Sequence, residues 1–513
     1  MTADAPEFAG ILIALGAAAA AILIPDRRPR DAAIGVALVA APLLVLGDVW
    51  NDPRVVDFRE SPAQITASVA VGAAAIGALV LLFRAVAWGF PVAALVALPL
   101  RVPIEIGGEN ANLLVPLYLV IAAGFIAQVL RPSRVEPPQL RPVSVLRWLL
   151  AATLLLYAIQ ASYSEDVSNA IENAGFFLVP FAILFVLLIR VEWTRDLLGK
   201  VVIGVAGFAA AAALVGIFQF AVRDLFLNPE LFDANQLHEY FRVNSVFYDP
   251  NIFGRYLALA LTAIGAYAVW SQDRRGLGLA AAAAGVALLA LTFTYSITSF
   301  VALLGGLGMV ALLRWSWRGA AAAAGVGLVA LAALVIAGGT PTSDIQTDRS
   351  IDSGHFPLVE GGLMLAGFMD PPPPDDPDPI KCRCDPGEPI TGWGSGSFGA
   401  AFYENIEPAR TAVSHSEPIT VLAEQGVIGF ILYLALLASI LVVLVGGAAW
   451  RFAGRSAVAA CFVAILVHSF GYTGFLIDPA TWAILALGVG LRAARPVAAP
   501  APSEAAAPAP VTT

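Results

Sequence analysis

The chain has 513 residues, 59% of them hydrophobic and only 13% charged, about half the charged share of an ordinary soluble domain. That composition excludes a soluble globular protein. A formal net charge of −9 argues against a nucleic-acid partner as well.

Apolar runs of roughly 17 to 25 residues recur along the chain, each long enough to cross about 30 Å of hydrocarbon as a helix. The sequence predicts an all-α polytopic membrane protein with about 12 to 15 transmembrane helices and one long extracytoplasmic loop before the last three. Fifteen candidate spans stand out: 8–25, 31–47, 64–83, 86–103, 111–130, 145–161, 171–190, 197–220, 251–270, 277–293, 300–314, 319–338, 418–447, 455–473 and 479–493. The first follows an acidic leader, Asp4 and Glu7, with no basic n-region, and reads as a retained span and not a cleaved signal. Residues 1–200 form an N-terminal group of spans, and 201–495 carry the polar motifs and the extracytoplasmic loop 339–417. Residues 496–513, rich in Pro and Ala, read as a disordered cytoplasmic tail. No internal repeat pairs the two halves.

Lys and Arg accumulate on cytoplasmic connections. Nineteen of the 29 basic residues, from Arg27 to Arg495, fall on alternate short connections, whereas only seven of the 38 Asp and Glu do so. The topology that follows places the N-terminus outside and the C-terminus inside, with the acidic loops outside. Cys461 sits in an apolar span and reads as a small packing residue. Cys382 and Cys384, in the outer insert 370–389, are too close for an unstrained bridge and have no metal-ligand company, so no cofactor or metal is expected.

Four outward stretches collect polar groups. "FRVNSVFYDPNIFGRYLALAL", from Phe241, carries Arg242, Tyr248, Asp249 and Asn251 before a span and Arg255 just inside it. Pro250 starts that helix and Asp249 caps it, while the two guanidinium groups have the fork geometry that binds a phosphate; Arg255 alternatively snorkels to the interface. "LTFTYSITSF" places a polar hexad, Thr294 to Ser299, at the turn between two spans. "DRSIDSGHFPLVEGGLMLAGFMD", from Asp348, contains Arg349 and His355 and a short helix suited to the membrane surface. It precedes "TGWGSGSFGAAF", whose glycines at 392, 394, 396 and 399 suit close approach of backbone to a ligand.

The fourth is "VSHSEPITVLAEQGVIGF", from Val413. Pro418 is tolerated only in a first helical turn, so the helix should begin near Ser416 or Glu417 with His415 at its mouth. The positive end of the helix dipole disfavours imidazolium there, which suits a proton acceptor. Glu424 lies about two turns further in, where a carboxylate needs a partner or a role.

Taken in order, "R…F.DPN..G..L", the outer "T.S" turn, "SG…L", "GWGSGSF" and the spacing from His415 to Gly426 make residues 200–475 similar to the O-antigen ligase and Wzy-type polymerase superfamily. The resemblance implies a metal-independent membrane glycosyltransferase of the GT-C kind. Such an enzyme takes a glycan from an undecaprenyl-diphosphate carrier at the outer face of the cytoplasmic membrane and passes it to a glycan or glycolipid acceptor, with polysaccharide-assembly proteins as possible partners. It implies Arg242 as a diphosphate ligand and His415 as the base. Arg255 is added from its position, and Arg349, or alternatively Arg410, as a substitute for an arginine that the family often has in "SGR", where this chain has "SGH" ending at His355. The "SIT" of Ser296–Thr298 also departs from the family's "SR". Two other classes compete: a flippase or transporter of lipid-linked sugars, against which speaks the near absence of ionisable groups at mid-span, and a catalytically silent relative.

Overall fold

The computed structural model describes residues 4–106, 109–132, 135, 138–226, 241–315, 318, 325, 352–369, 389–406, 414–447 and 452–493. In chain order these form α1 (Ala5–Leu23), α2 (Arg27–Asp48), α3 (Pro53–Arg59), α4 (Pro62–Ala85), α5 (Gly89–Ala97), β1 (Val102–Ile106), β2 (Glu109–Leu113), α6 (Val115–Leu130), α7 (Arg141–Gln160), α8 (Val167–Glu172) and α9 (Val179–Leu188). There follow α10 (Arg195–Val222), α11 (Pro250–Trp270), α12 (Arg274–Phe293), α13 (Ile297–Arg314), α14 (Asp352–Leu365), α15 (Phe398–Asn405), α16 (Glu417–Val445), α17 (Ala453–Ser469) and α18 (Pro479–Ala493). Ten helices among the described residues are long and apolar enough to cross a membrane, and three shorter apolar ones accompany them. The protein is an all-α polytopic membrane protein.

Local chemistry sets the helix starts. Proline occupies the first turn of α4, α6, α7, α11 and α16, where its missing N–H costs no hydrogen bond. Thr194 caps α10 by accepting from Leu197 N at 3.2 Å, and Asp273 caps α12 by accepting from Arg275 N and Gly276 N. Such caps contribute about 1 kcal/mol each.

Packing sorts the helices. Every residue of α9 is buried, as expected for a helix that is apolar all round, and it lies against α1, α6 and α18. Phe185 on α9 meets Trp482 on α18 edge to face at 6.3 Å. In contrast, α4 buries only Val80 and Phe83 and leaves apolar surface for lipid. The largest buried cluster joins α1, α2, α7 and α9 to α16, α17 and α18, across the boundary at residue 200. In the second half, α11, α13 and α17 pack closely at Gly306, where an added Cβ would lie 2.5 Å from Thr262 Oγ1 and 3.1 Å from Ala464 Cβ. Small residues at such contacts let apolar helices approach closely, so that van der Waals packing holds them together.

The expected span 86–103 needs correction. Pro91 is accommodated early in α5, but the helix stops at Ala97 and the chain continues as an antiparallel hairpin pairing Val102 with Leu113 and Ile106 with Glu109. The Pro103 and Gly107–Gly108 positions favour extended chain and a turn over helix. Parity is preserved, because Arg131 at the end of α6 returns to donate to Arg84 O at 3.3 Å, while Arg101 sits at the far end against Tyr248. The span at 171–190 starts earlier than expected, at Val167, and passes through a π turn at Asn173–Leu178. The span 319–338 apart from position 325, the tail 496–513 and about half of the loop 339–417 lie outside the described residues.

The bundle has two distinct ends. At one, arginines close helix C-termini: Arg147 donates to Ile22 O and to Leu23 O, Arg27 to Val129 O at 2.8 Å, Arg455 to Gly447 O at 2.7 Å and Arg492 to Val442 O at 3.4 Å. At the other end α10, α12 and α17 finish while α11, α13, α16 and α18 begin. All four polar stretches, so far as they are described, gather there.

Candidate functional site

The stretch before α11 is held rigidly. Asp249 Oδ1 accepts from Asn251 N at 2.6 Å and Ile252 N at 3.1 Å, so it caps the helix as its sequence position implies. Arg242, half-buried, donates through Nε to Thr294 O at 2.9 Å and through Nη2 to Asn251 Oδ1 at 3.0 Å, tying this stretch to the turn between α12 and α13. Gln219 on α10 brackets Ser245: its Oε1 accepts from Ser245 N at 2.7 Å and its Nε2 donates to Ser245 O at 3.2 Å.

Arg255, one turn into α11, is 5% exposed and forms an ion pair with Asp478 at 2.6 Å. Asp478 also caps α18, accepting from Ala480 N at 2.7 Å. Arg255 therefore neither snorkels nor stands without a counter-charge. Its guanidinium carbon lies 5.7 Å from the ring centre of Tyr472. Tyr472 is the hub: its ring centre is 6.2 Å from that of His415 and 5.8 Å from that of His468, and its hydroxyl faces that of Tyr248. Arg101, from the base of the β-hairpin, stacks over Tyr248 at 4.6 Å. Burial, and then the Asp249 charge, hold the Tyr472 hydroxyl well above the ordinary tyrosine range, so it stays protonated. Burial likewise raises Tyr248, against the opposing charge of Arg101.

His468 is fully buried under this layer, with Nε2 3.2 Å from Ser299 Oγ, which in turn meets Ser296 Oγ at 2.8 Å. Ser299 Oγ also lies 3.4 Å from Asn251 O. A continuous series of contacts therefore runs from Arg242 through Asn251, Ser299, His468 and Tyr472 to His415.

The helix mouth forms where Pro418 demands it: α16 begins at Glu417 with Ser416 as its N-cap. His415, partly buried, has φ 53°. Among the described residues four non-glycines have positive φ, and apart from Arg223 at the end of α10 they are Ser245, Tyr295 and His415, one in each of three polar stretches. Left-handed backbone costs such residues about 1–3 kcal/mol and persists only where surroundings enforce it. Glu417 does part of that enforcing, because its Oε2 accepts from Gly474 N at 2.7 Å and binds the Tyr472 loop to the mouth of α16.

Glu424 and Gly426 have a different employment. Glu424 accepts from Gly396 N at 2.9 Å and Phe398 N at 3.1 Å, which supplies the partners its depth requires. At Gly426 the helix is interrupted, with φ 61° and ψ −166°. The glycine-rich loop pairs along the interruption: Trp393 N donates to Ala423 O at 3.0 Å, Gly394 N to Glu424 O at 2.9 Å and Val427 N to Pro389 O at 2.9 Å. The expectation that Gly392, Gly394 and Gly396 bring backbone to a ligand is thus corrected. They bring backbone to backbone, since a Cβ on Gly392 would strike Glu424 O and one on Gly394 would strike the Ser164 main chain. Gln160, Tyr163, Ser164 and Asn169 complete the anchoring by donating to Thr391 O, Ser395 O and Gly396 O. The neighbouring α14 packs one face inward: Leu358, Met364 and Leu365 lie against Phe398, Phe402 and Ala423, and Trp393 Nε1 donates to Leu365 O at 2.8 Å.

Arg349, Arg410, Cys382 and Cys384 lie outside the described residues, as does the side chain of His355, whose backbone is in α14. Among the described residues no group of three or more His, Cys, Asp or Glu is placed to hold a metal. Arg101, His468, Tyr472 and Asp478 join the site without belonging to any of the four polar stretches in the sequence. His468 carried a signal, as an ionisable residue at the end of an apolar span; the others are recognisable only by contacts between distant segments. No protein-family model matches the chain, and no curated protein matches it in sequence.

Proposed function

We propose that this protein is a membrane glycosyltransferase that moves a glycan from an undecaprenyl-diphosphate carrier to an acceptor hydroxyl, at the extracytoplasmic face of the cytoplasmic membrane, in cell-surface polysaccharide assembly. The observation that carries the reading is the joining of His415 to Arg242 through one unbroken set of polar and ring contacts, at the end of the bundle opposite the arginine caps. The order of motifs along residues 200–475 supports it independently. By the positive-inside rule the arginine-capped end is cytoplasmic, which leaves the polar loops facing out, where a lipid-linked sugar is the natural donor.

An inverting transfer needs a proton acceptor beside the attacking hydroxyl and positive charge beside the departing diphosphate. In this reading His415 takes the acceptor's proton as its oxygen attacks the anomeric carbon. The bond from that carbon to the diphosphate oxygen breaks, and undecaprenyl diphosphate leaves as an anion beside Arg242 and Arg101. Arg255, neutralised by Asp478, is a positioning residue that holds Tyr472 and its loop. Glu424 and Gly426 shape the mouth and do not touch the reacting atoms.

The test is glycan transfer from an undecaprenyl-diphosphate oligosaccharide by purified protein, comparing wild type with His415→Ala and Arg242→Ala. Loss of the general base is expected to lower turnover by about 10²–10⁴-fold. Wild type that binds the lipid yet transfers to no acceptor, or His415→Ala that turns over like wild type, contradicts the reading.

A further inference from the structure

Two tyrosines at the centre of the polar end carry one proton more than the protein itself can place. Tyr248 lies in the stretch before α11 and Tyr472 in the loop between α17 and α18; both are partly buried, and their hydroxyls face each other. A hydroxyl offers one donor and two acceptor sites, so a facing pair shares one hydrogen bond and uses only one of its two protons. Burial raises both hydroxyls, whereas their mutual contact lowers Tyr248 and raises Tyr472, the pattern of a bond in which Tyr472 donates and Tyr248 accepts. The proton of Tyr248 is then the one left over.

Among the described residues no acceptor takes that proton. Asp249, the neighbouring carboxylate, turns Oδ1 to Asn251 N and Ile252 N and makes no hydrogen bond to either phenol. The surroundings favour giving the proton's hydrogen bond to an anion. Arg101 stacks over the Tyr248 ring at 4.6 Å, and the Arg255 guanidinium lies 5.7 Å from the ring centre of Tyr472, so each phenol has a cation against its ring. Such a cation draws density from the ring and strengthens the O–H as a donor. The ion pair of Arg255 with Asp478 at 2.6 Å fixes the side of the pair on which Tyr472 stands.

We infer that the Tyr248 hydroxyl is a direct ligand of the diphosphate in the lipid-linked donor, donating a hydrogen bond to one of its non-bridging oxygens, with Tyr472 as the positioning residue that orients it. The inference rests on the glycosyltransferase reading and assigns the side of the site that receives the leaving group. During transfer the bond from the anomeric carbon to the diphosphate oxygen breaks, its electron pair stays with the diphosphate, and the acceptor's proton goes to His415. The Tyr248 proton remains on the phenol. Its hydrogen bond strengthens as charge grows on the departing group, so losing it is read more in kcat than in KM.

Tyr248→Phe and Tyr472→Phe in the purified full-length protein test this, with undecaprenyl diphosphate and uncharged undecaprenol as probes in native mass spectrometry and glycan transfer as the second readout. Tyr248→Phe keeps the ring against Arg101 and removes only the hydroxyl. It is expected to weaken undecaprenyl diphosphate about 10–100-fold, the loss of one hydrogen bond to a charged acceptor, and to leave undecaprenol unchanged. A fall in kcat of about the same size, with a smaller change in KM, is expected beside it. Tyr472→Phe keeps the donor but not its orientation and is expected to lose less in both readouts. Undecaprenyl diphosphate that binds Tyr248→Phe as it binds wild type, an equal loss for undecaprenol, or a larger loss in Tyr472→Phe than in Tyr248→Phe overturns the inference. Wild type that transfers no glycan, while Tyr248→Phe still loses the diphosphate selectively, contradicts the glycosyltransferase reading and upholds the diphosphate contact.

Discussion

The two ends of the bundle use arginine in contrasting ways. At the capped end, Arg27 and Arg147 donate to carbonyls that a finishing helix leaves without intrahelical partners, Arg455 donates to Gly447 O just past the end of α16, and Arg492 shares Val442 O with the N–H of Gly446. At the polar end, Arg242 meets a side-chain amide besides the Thr294 carbonyl at the end of α12, Arg255 a buried carboxylate and Arg101 an aromatic face. Helix completion requires the first kind of contact and has no use for most of the second. The polar end also holds four described non-glycine residues in left-handed backbone: Arg223 and Tyr295 end helices, where that conformation is common, whereas Ser245 and His415 lie outside such caps. The comparison teaches that the partner of a cation, more than its presence, separates scaffold from candidate chemistry.

The sharpest way to probe this contrast is through Arg255. Arg255→Ala leaves Asp478 buried without its counter-charge and is expected to cost about 3–5 kcal/mol of stability. The double variant Arg255→Ala/Asp478→Ala should recover much of that loss in thermal unfolding, because the orphaned carboxylate is gone. Strictly additive losses would show that the two residues do not act as a pair.

Gly394→Ala comes next. Gly394 has φ 96° and lies against the Ser164 main chain, so the variant is expected to lose about 1–3 kcal/mol, read as a lowered Tm. An unchanged Tm would return the glycine loop to the ligand-approach role that its sequence suggested.

The smallest effect carries the most information about the mouth of α16. His415→Gly relieves a left-handed backbone at φ 53° and is expected to raise stability by about 1 kcal/mol while abolishing transfer. A variant that is less stable and still active would mean that His415 is a packing residue.

Much of this architecture was legible in the sequence because its signals are local. Apolar length announces a span, Pro418 fixes where α16 starts, and Asp249 with Pro250 writes the start of α11. Span 86–103 misled because α5 and the hairpin strand together cover the length of one helix, so hydropathy alone does not separate them. The site was legible only in part. Arg242, Tyr248, Asp249, Asn251, Arg255 and His415 are visible as polar residues at span ends. Their partners Asp478, Tyr472, His468 and Arg101 sit in segments that become neighbours only after folding. The glycine-rich loop leaves its partner open in the sequence, because glycine permits close approach without specifying what approaches.

The most direct test of the central claim is to compare two arginine variants, one from each end, in the same transfer assay normalised to folded protein. The account predicts that Arg242→Ala loses most glycan transfer while Arg455→Ala, which loses only a helix cap, retains wild-type turnover at a lowered Tm. Equal turnover in the two variants, whether both active or both inactive, would contradict it.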